Sequence, residues 1–510
     1  MLKKCYCATC IGIDAVVTVV EVNLTVGVGI HLVGLPDNAV RESLLRVVTA
    51  LSSYGFKIPG RKLVVNLAPA DIRKEGSGYD LAIAIAILSV SEQIKGMDTD
   101  GFVLLGELAL DGNLRPVKGA LPIAVQARDS GFKACILPPE SAGEAADIDG
   151  IKIYGAANLA QVIEIMCHEP QAEAYLLHPG DGVQSQPPCY SHDFSQVKGQ
   201  TLARRGLEIA AAGGHSCLLT GAPGSGKSMM AACLPSILPP MTREESIQTS
   251  KIYSVTGEGC RGGLMRERPF RTPHHSASLV SLIGGGSSAM PGEISLAHNG
   301  VLYLDEVPQF SRAVLDALRQ PIEDGRVTIS RAKYKVIYPC SFMLIASMNP
   351  CPCGFYGDGT DRCHCTRVAI DRYLERLSGP FLDRIDLQIF VSPLETGQLL
   401  DDSSSEPSSA IASRVMAARK IQLRRFKDEG IFTNSQMDAA MIQKYCSIGE
   451  REKEFLGNVI DKLNLSARAY GRILKLARTI ADLNGNNLLT LQDISEAVQF
   501  RNLDRRKIND

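Results

Sequence analysis

The stretch Gly221-Ala222-Pro223-Gly224-Ser225-Gly226-Lys227-Ser228 has the spacing of a phosphate-binding loop. Leu218–Thr220 before it predicts a strand and Met229–Leu234 after it predicts a helix, which is the context this pattern needs. Glycines let backbone N–H groups approach phosphates, and a helix N-terminus favours negative charge. We therefore expect the loop to hold ATP. Lys227 should reach the β- and γ-phosphates, and the Ser228 hydroxyl should bind Mg²⁺.

A second motif follows further along the chain. Val301–Leu304 is an apolar segment that predicts a buried strand, and it ends at Asp305 and Glu306. After a phosphate-binding loop, this arrangement predicts that Asp305 holds Mg²⁺ and that Glu306 orients the attacking water. An apolar strand ending in Asp-Glu is common by itself, so the prediction of ATP hydrolysis depends on the two motifs together.

Two further polar residues are candidates for this site. Phe342–Ala346 predicts a strand that ends near Asn349, whose amide is suited to positioning water between the two motifs. Arg384 has two interpretations. It is either an arginine supplied in trans to a neighbouring subunit, which requires an oligomer, or a structural salt bridge with Asp383 or Asp386.

Composition limits the class of protein. The 510 residues are 45% hydrophobic and 21% charged, which is typical of soluble globular domains, and the length predicts two to four of them. The formal net charge is −1, so any DNA contact must come from local patches. No apolar run is long enough to cross a bilayer, and we expect a cytoplasmic protein with no membrane partner.

Changes in composition and hydrophobic pattern along the chain predict a multidomain α/β protein. Residues 1–170 read as one α+β domain, in which Gly12–Gly29 alternates like a strand and Tyr79–Val90 resembles a buried helix. Residues 171–197 are rich in proline and glycine and predict a linker. The remaining domains are predicted at residues 198–395, which carry the phosphate motifs, and at residues 396–510, which are rich in helical patterns.

Several longer strings resemble a known family. They are Arg268–Ser276, Gly284–Gly286, Pro291–Gly300, Gly34–Asp37 and Asn66–Asp71. The whole chain is similar to the YifB/ComM-type ATPases of the Mg-chelatase-related AAA+ group. This resemblance implies an AAA+ α/β core with a parallel sheet and a C-terminal helical lid.

The resemblance also assigns roles and partners. It implies that Asn349 is sensor 1, Arg384 the arginine finger and Arg468 the sensor 2 arginine on the lid. ComM-type members are implied to be homohexameric, ATP-driven helicases. The resemblance implies that they drive branch migration during the recombination of natural transformation, with branched or single-stranded DNA as the partner.

Residues 1–170 resemble the Lon-protease-like fold, also called ribosomal S5 domain 2-type. Gly78 stands at the expected nucleophile position and Ile123 at the expected lysine position. Ser77 and Lys118 are displaced from these positions, and a Ser–Lys dyad needs both groups within hydrogen-bond reach. We expect a catalytically inactive domain, with residual proteolysis as the alternative.

Local basic and histidine clusters are the candidates for DNA contact. Gly325–Pro339 predicts a β-hairpin, and period-two spacing would place its three cations on one side of a strand, where they would either follow a phosphate backbone or only solvate an edge. A segment that the sequence predicts to be a loop carries an arginine and two histidines, which would either contact DNA or make structural hydrogen bonds. The candidates are Arg271, His274, His275, Arg331, Lys333 and Lys335.

Four of the fifteen cysteines form a candidate metal site. Cys351, Cys353, Cys363 and Cys365 are spaced C-x-C-x9-C-x-C, and four thiolates satisfy tetrahedral Zn²⁺. His364 is an alternative ligand, and unligated thiols are the alternative to zinc. Because the cluster follows Asn349, a structural zinc would brace the sensor loop.

Two alternatives to a DNA motor remain open. The first is an ATPase that remodels a protein, like the motor subunit of Mg-chelatase, although that subunit lacks a long N-terminal domain. The second is an ATP-dependent protease of Lon type, which Gly78 and Ile123 disfavour.

Overall fold

Helices and strands alternate along most of the chain before a helical C-terminal part. The computed structural model describes residues 2–180, 190–259, 263–286, 288–330, 335–393, 405–463 and 466–501. Residues 181–189 of the predicted linker lie outside the described residues, as do Arg331 and Lys333.

The strands are β1 Leu2–Ile11, β2 Asp14–Thr25, β3 Ile30–Val33, β4 Lys62–Ala68, β5 Phe102–Leu104, β6 Glu107–Leu108, β7 Leu114–Arg115, β8 Ala134–Leu137, β9 Lys152–Gly155, β10 Leu176–Leu177, β11 Cys217–Gly221, β12 Phe270–Arg271, β13 Gly284–Gly285, β14 Met290–Pro291, β15 Val301–Leu304, β16 Arg326–Ser330, β17 Lys335–Pro339, β18 Met343–Met348 and β19 Leu387–Val391.

The helices are mostly short before residue 400 and longer after it. They are α1 Asn38–Ser53, α2 Asp80–Ser91, α3 Ala120–Asp129, α4 Pro139–Ala145, α5 Leu159–Met166, α6 Thr201–Gly213, α7 Lys227–Cys233, α8 Arg243–Thr256, α9 Leu279–Ile283, α10 Glu293–Leu296, α11 Arg312–Ala317, α12 Arg319–Asp324, α13 Arg367–Leu374, α14 Gly379–Leu382, α15 Ser408–Arg425, α16 Ala439–Tyr445, α17 Glu450–Leu463, α18 Ala467–Asn484 and α19 Leu491–Gln499.

The chain divides into two compact units, and both are discontinuous in sequence. The first unit contains Met1–Pro187, Thr242–Arg266 and Ser330–Tyr338. The second unit contains Pro188–Met241, Glu267–Ile329 and Pro339–Asp510. Each unit therefore takes segments from both sides of the phosphate-binding loop.

The first unit is built on a mixed eight-stranded sheet. Its strand order is β10-β9-β8-β5-β1-β2-β4-β3, with β1 antiparallel to β2 and parallel to β5. Helix α2 is apolar on every side, and all of its residues from Asp80 to Val90 are buried in the core of this unit. The prediction of a buried helix at Tyr79–Val90 is confirmed.

Helix α8 completes the first unit by packing on α3. The backbone N–H of Gly119 donates to the carbonyl of Ser254 at 3.0 Å, and the Ser254 hydroxyl donates to Glu144 at 2.7 Å. Leu121 and Val125 of α3 form a small apolar cluster that includes Ile247 of α8. Sequence periodicity alone gave no indication of this long-range packing.

The second unit contains a parallel sheet, as the family resemblance implied. Its order is β12-β15-β18-β11-β19, and every neighbouring pair is parallel. Strand β11 lies between β18 and β19, so the loop that follows it begins in the middle of the sheet. Side chains at the carboxyl ends of the strands therefore meet around this loop.

The C-terminal helices of the second unit share a core with its sheet. Buried side chains of α15, α18 and α19 belong to the same apolar cluster as those of α6 and β11. The fold is thus a mixed α/β structure with a parallel sheet and many helices. Within the described residues, no helix has the length and apolar character needed to cross a membrane.

We predict that the buried carboxylate of Asp80 depends on Arg46. Asp80 is fully buried, and the Arg46 guanidinium donates to its two oxygens at 2.8 and 3.1 Å. Arg46→Ala leaves this charge without its cation, so it should lower the opening free energy of α2 by about 3 kcal/mol. Hydrogen exchange of the α2 amides measures this loss.

The loss in opening free energy caused by Arg46→Ala should be smaller at low pH than at high pH. Burial raises the pKa of the Asp80 carboxyl although Arg46 acts in the opposite direction. Without Arg46 that pKa rises further, and a protonated carboxyl needs no cation. The difference in opening free energy between variant and wild type should therefore shrink as the pH falls through the raised pKa of Asp80 in the variant. Arg73→Ala, which removes an exposed pair with Glu75, is the control and should change little. A loss at Arg46 that does not vary with pH would contradict this account.

Candidate nucleotide site

The phosphate-binding loop lies between β11 and α7, as its sequence context requires. Gly224 and Gly226 have φ values of +76° and +90°, which favour glycine. Apart from the adjoining backbone, no atom of the described residues lies within 4 Å of the position that a Cβ would take at either glycine. The Ser225 hydroxyl is buried and has no hydrogen-bond partner among the described residues. Open space beside a loop with an unsatisfied polar group fits a phosphate ligand.

Lys227 begins helix α7 and points back toward the loop. Its ammonium donates to the carbonyls of Gly221 at 2.8 Å and Ala222 at 2.9 Å, and to the Asn349 side-chain oxygen at 3.3 Å. Burial lowers the pKa of this ammonium, while Asp305 and Glu306 act to raise it. The structure thus brings together the lysine of the loop and the predicted sensor residue.

Asp305 is held by hydroxyl groups at the end of β15. The Ser228 hydroxyl donates to one carboxylate oxygen at 3.1 Å, and the Ser347 hydroxyl donates to the other. Burial acts to raise the pKa of Asp305, but hydrogen bonds from Ser347, Tyr303 and Ser228 outweigh it and lower that pKa. The carboxylate is therefore kept ionised beside the predicted Mg²⁺ ligand Ser228.

Glu306 adopts an uncommon backbone conformation. Its φ is +50°, in the left-handed region that non-glycine residues seldom occupy. Its N–H donates to Asp305 at 3.0 Å and to the Ser347 hydroxyl at 3.3 Å. These two acceptors hold the turn, and they leave the exposed Glu306 side chain at the open edge of the site.

Tyr303 and Ser347 belong to this site although sequence reasoning did not single them out. The Tyr303 hydroxyl lies 3.1 Å from the Ser228 oxygen and 3.2 Å from the Ser347 oxygen. Both residues lie in strands that are otherwise apolar near their carboxyl ends. The sequence did offer one indication of their role, because each places a hydroxyl inside a buried strand, within two residues of Asp305 or Asn349.

Comparison with known proteins places this site in a family. Family models described as "Magnesium chelatase, subunit ChlI", "Subunit ChlI of Mg-chelatase" and "Magnesium chelatase, subunit ChlI C-terminal" match residues 193–399, 20–141 and 405–501. The chain is 42% identical over 502 residues to YifB of Escherichia coli strain K12, covering 98% of this chain and 97% of YifB. It is 40% identical over 498 residues to the competence protein ComM of Haemophilus influenzae, covering 97% and 96%.

The chain belongs to the YifB/ComM group of Mg-chelatase-related proteins. This family is AAA+ ATPase-like and implies the use of nucleotide and Mg²⁺. A shorter match, 28% identical over 139 residues, is to Lon protease 2 of Bacillus subtilis and covers 27% of the chain and 25% of that protein.

In this YifB/ComM-type chain, Arg384 makes contacts inside the second unit. Its guanidinium donates to the carbonyls of Arg319 at 3.0 Å and Pro380 at 2.6 Å, and lies 2.8 Å from Glu323. The ion pair is therefore with Glu323, and not with Asp383 or Asp386 as the structural alternative expected. Asp386 instead pairs with Arg472.

Arg468 and Arg472 lie one turn apart at the start of α18. Arg468 is exposed, whereas Arg472 donates to Asp386 at 2.7 Å. Asp386 also lies 3.3 Å from the ring of the buried His215. Burial acts to raise the pKa of Asp386, but Arg472 and His215 outweigh it and hold that pKa well below its usual range. Arg472 therefore fixes the helix that presents Arg468.

The candidate DNA-contacting residues have different surroundings. Arg271 forms a two-pronged pair with Glu293 at 2.7 and 2.9 Å. The rings of His274 and His275 lie 4.1 Å apart, and His274 also contacts the Ser276 hydroxyl at 2.7 Å. Lys335 is exposed at the start of β17, and β16 and β17 form the two-stranded sheet that the hairpin prediction required.

The structure gathers the four predicted cysteines. The sulfur of Cys351 lies 3.3 Å from that of Cys353 and 3.8 Å from that of Cys363, and all four sulfurs, including that of Cys365, lie within 4.8 Å of one another. Four thiolates bound to Zn²⁺ at about 2.3 Å would be about 3.8 Å apart. The backbone N–H of Tyr356 also donates to the Cys351 sulfur at 3.4 Å. This donor set fits a tetrahedral thiophilic metal.

Ser77 and Lys118 of the first unit have separate partners. The Ser77 hydroxyl donates to Glu107, and the Lys118 ammonium donates to the carbonyl of Thr256 at 3.0 Å. Gly78 and Ile123 stand at the positions where a dyad was expected, and Ile123 is buried. Within the described residues, the Ser77 hydroxyl and the Lys118 ammonium therefore do not pair with each other.

We predict that Tyr303→Phe lowers the rate of ATP hydrolysis at limiting Mg²⁺ without changing the fold. The variant loses only the hydroxyl beside Ser228 and Ser347, so Asp305 loses part of its support. A hydrogen bond of about 1 kcal/mol corresponds to an about fivefold lower rate of ATP hydrolysis at limiting Mg²⁺. Rates measured across Mg²⁺ concentrations test this. Tyr338→Phe, which alters a buried tyrosine of the first unit, is the control. Equal rates in both variants would show that Tyr303 is only a packing residue.

Proposed function

We propose that the chain is a Mg²⁺-dependent AAA+ ATPase that works as a homohexameric DNA motor. Its activity would be branch migration or a related helicase action in recombination of incoming DNA. The observation that carries the ATPase part is the convergence of Lys227, Ser228, Asp305 and Asn349 around one open loop. The likeness to the competence protein ComM supports the DNA part.

Each residue of the site has a defined task in this proposal. The loop Gly221–Ser228 would hold the phosphates, and Lys227 would exchange its carbonyl partners for them. Ser228 and Asp305 would bind Mg²⁺, which when bound neutralises phosphate charge. Glu306 would orient the attacking water and accept its proton, and Asn349 would hold that water in place.

A ring would complete the site with residues from another subunit or from the lid. In this proposal Arg384 is the arginine finger, so it must leave Glu323 to reach the phosphates of a neighbouring subunit. Arg468 would act as sensor 2, and its exposure supports such a role. The lid would comprise residues 396–510, and the ATPase core residues 198–395.

DNA would contact a limited set of basic groups. Lys335 is exposed and supports contact by the hairpin, of which Arg331 and Lys333 are the other proposed contacts. His274 and His275 are proposed to face DNA directly. Arg271 would contribute fully only if its pair with Glu293 opens, because the carboxylate neutralises the positive charge that would attract a phosphate.

The N-terminal part, residues 1–170, is proposed to be an inactive Lon-like domain joined by a linker at 171–197. The match to Lon protease 2 supports the fold, and the separate partners of Ser77 and Lys118 support the loss of proteolysis. The four cysteines are proposed to bind structural Zn²⁺. We further propose that the protein acts in the cytoplasm without a membrane partner.

A protein-remodelling motor of Mg-chelatase type is the second candidate. The family match at 193–399 favours it, because that region carries the ATPase motifs independently of any DNA partner. It predicts hydrolysis that does not respond to DNA.

We predict ATP-dependent movement of a labelled four-way DNA junction by the purified chain. The movement should be lost in Lys227→Ala, because that change removes the cation that binds the phosphates. ATPase rates with and without single-stranded DNA are measured in parallel at fixed low salt, since phosphate contacts weaken steeply with salt. Hydrolysis that is indifferent to every DNA form would favour the protein-remodelling candidate.

We also predict that two inactive variants restore each other. Arg384→Ala keeps an intact loop, and Lys227→Ala keeps an intact finger. A mixed ring should therefore regain part of the ATPase rate at interfaces that combine both intact residues. The control mixes Arg384→Ala with the double variant Lys227→Ala/Arg384→Ala, which should restore nothing. Failure of the first mixture to regain activity would favour a structural role for Arg384 with Glu323.

A further inference from the structure

Two residues that flank the first cysteine pair contact the phosphate-binding loop. The first is Asn349, which lies two residues before Cys351. The side-chain oxygen of Asn349 accepts a hydrogen bond from Lys227 at 3.3 Å. The second is Gly354, directly after Cys353. A Cβ at Gly354 would lie 2.6 and 2.7 Å from two ring carbons of Pro223. The backbone of Gly354 therefore lies directly against the proline of the loop.

The position of Gly354 is set by the cysteine turn. Its N–H donates to the carbonyl of Cys351 at 3.0 Å, which closes a turn around Cys353. Its φ of +89° is a conformation that glycine adopts without strain. A metal held by the four sulfurs would fix both ends of the segment from Cys351 to Cys365. Loss of the metal would release the turn that presses on Pro223.

We propose that a metal bound by Cys351, Cys353, Cys363 and Cys365 sets the shape of the phosphate-binding loop through the Gly354–Pro223 contact. Metal occupancy thereby controls nucleotide affinity. This inference rests on the proposed nucleotide site and adds a positioning role for Gly354 and Pro223. The coupling is reciprocal, so bound nucleotide must raise the affinity for the metal by the same factor.

The test measures nucleotide affinity and metal content in the same full-length protein. A fluorescent ADP analogue is titrated at constant excess Mg²⁺ before metal removal, after treatment with a zinc-selective chelator, and after Zn²⁺ is returned. Metal per chain is counted by mass spectrometry. We expect removal to weaken ADP binding about tenfold, within the usual range of coupling factors, and Zn²⁺ to restore it. Saturating ADP should raise the chelator concentration that removes half of the zinc at equilibrium, by the same factor.

Two variants separate coupling from a general loss of structure. Cys363→Ser should lose metal and reproduce the weak affinity, whereas Cys167→Ser, a thiol outside the cluster, should match wild type. Pro223→Ala removes the ring carbons that meet Gly354. In that background, ADP affinity should change by less than about twofold when metal is removed, as expected for uncoupled sites. Chelation of wild type keeps the test valid if Cys363→Ser does not fold.

The outcomes are distinguishable. Stoichiometric metal whose removal leaves ADP affinity unchanged would overturn the coupling while leaving the nucleotide site intact. A chain that binds ADP but neither contains nor takes up Zn²⁺ would overturn the metal site. A wild-type chain that binds no ADP would overturn the proposed function, and the coupling with it.

Discussion

The parallel pairing of β11 with β18 on one side and β19 on the other is the constraint on which the second unit depends. It places the end of β11 beside the end of β18, and β18 in turn pairs with β15. Ser347 and Asp305 can therefore meet through a hydrogen bond, and Asn349 can reach Lys227. Polar groups from distant parts of the sequence converge because parallel strands end at the same edge of a sheet.

Local pattern was sufficient for much of the fold. The loop Gly221–Ser228 carries its own geometry, since glycines with positive φ and a following helix are required by the motif itself. Strand β15 and helix α2 were also predictable, because an apolar run between polar residues has few alternatives to burial. In these segments the local preference and the tertiary environment agree.

Pairings between distant residues were not predictable. Arg384 is paired with Glu323 and Arg271 with Glu293, and no spacing rule connects either pair in the sequence. The contributions of Tyr303 and Ser347 likewise depend on strand register, which decides which hydroxyl faces Asp305. Sequence reasoning identified the motif residues of the site, including the Ser228 hydroxyl and the Asn349 amide. It missed the hydroxyls of Tyr303 and Ser347, which support Ser228 and Asp305.

The discontinuous first unit has a consequence for synthesis on the ribosome. Residues 1–180 leave the ribosome before the segment Thr242–Arg266, whose Ile247 and Leu264 cover Leu121 and Val125 in part. Gly12, at the β1–β2 turn, is likewise covered only by a later residue. In the folded unit the side chain of Val336 lies against it. The first unit must therefore keep apolar surface exposed until residues 242–266 and 330–338 have been translated. That interval is when a chaperone has most to protect.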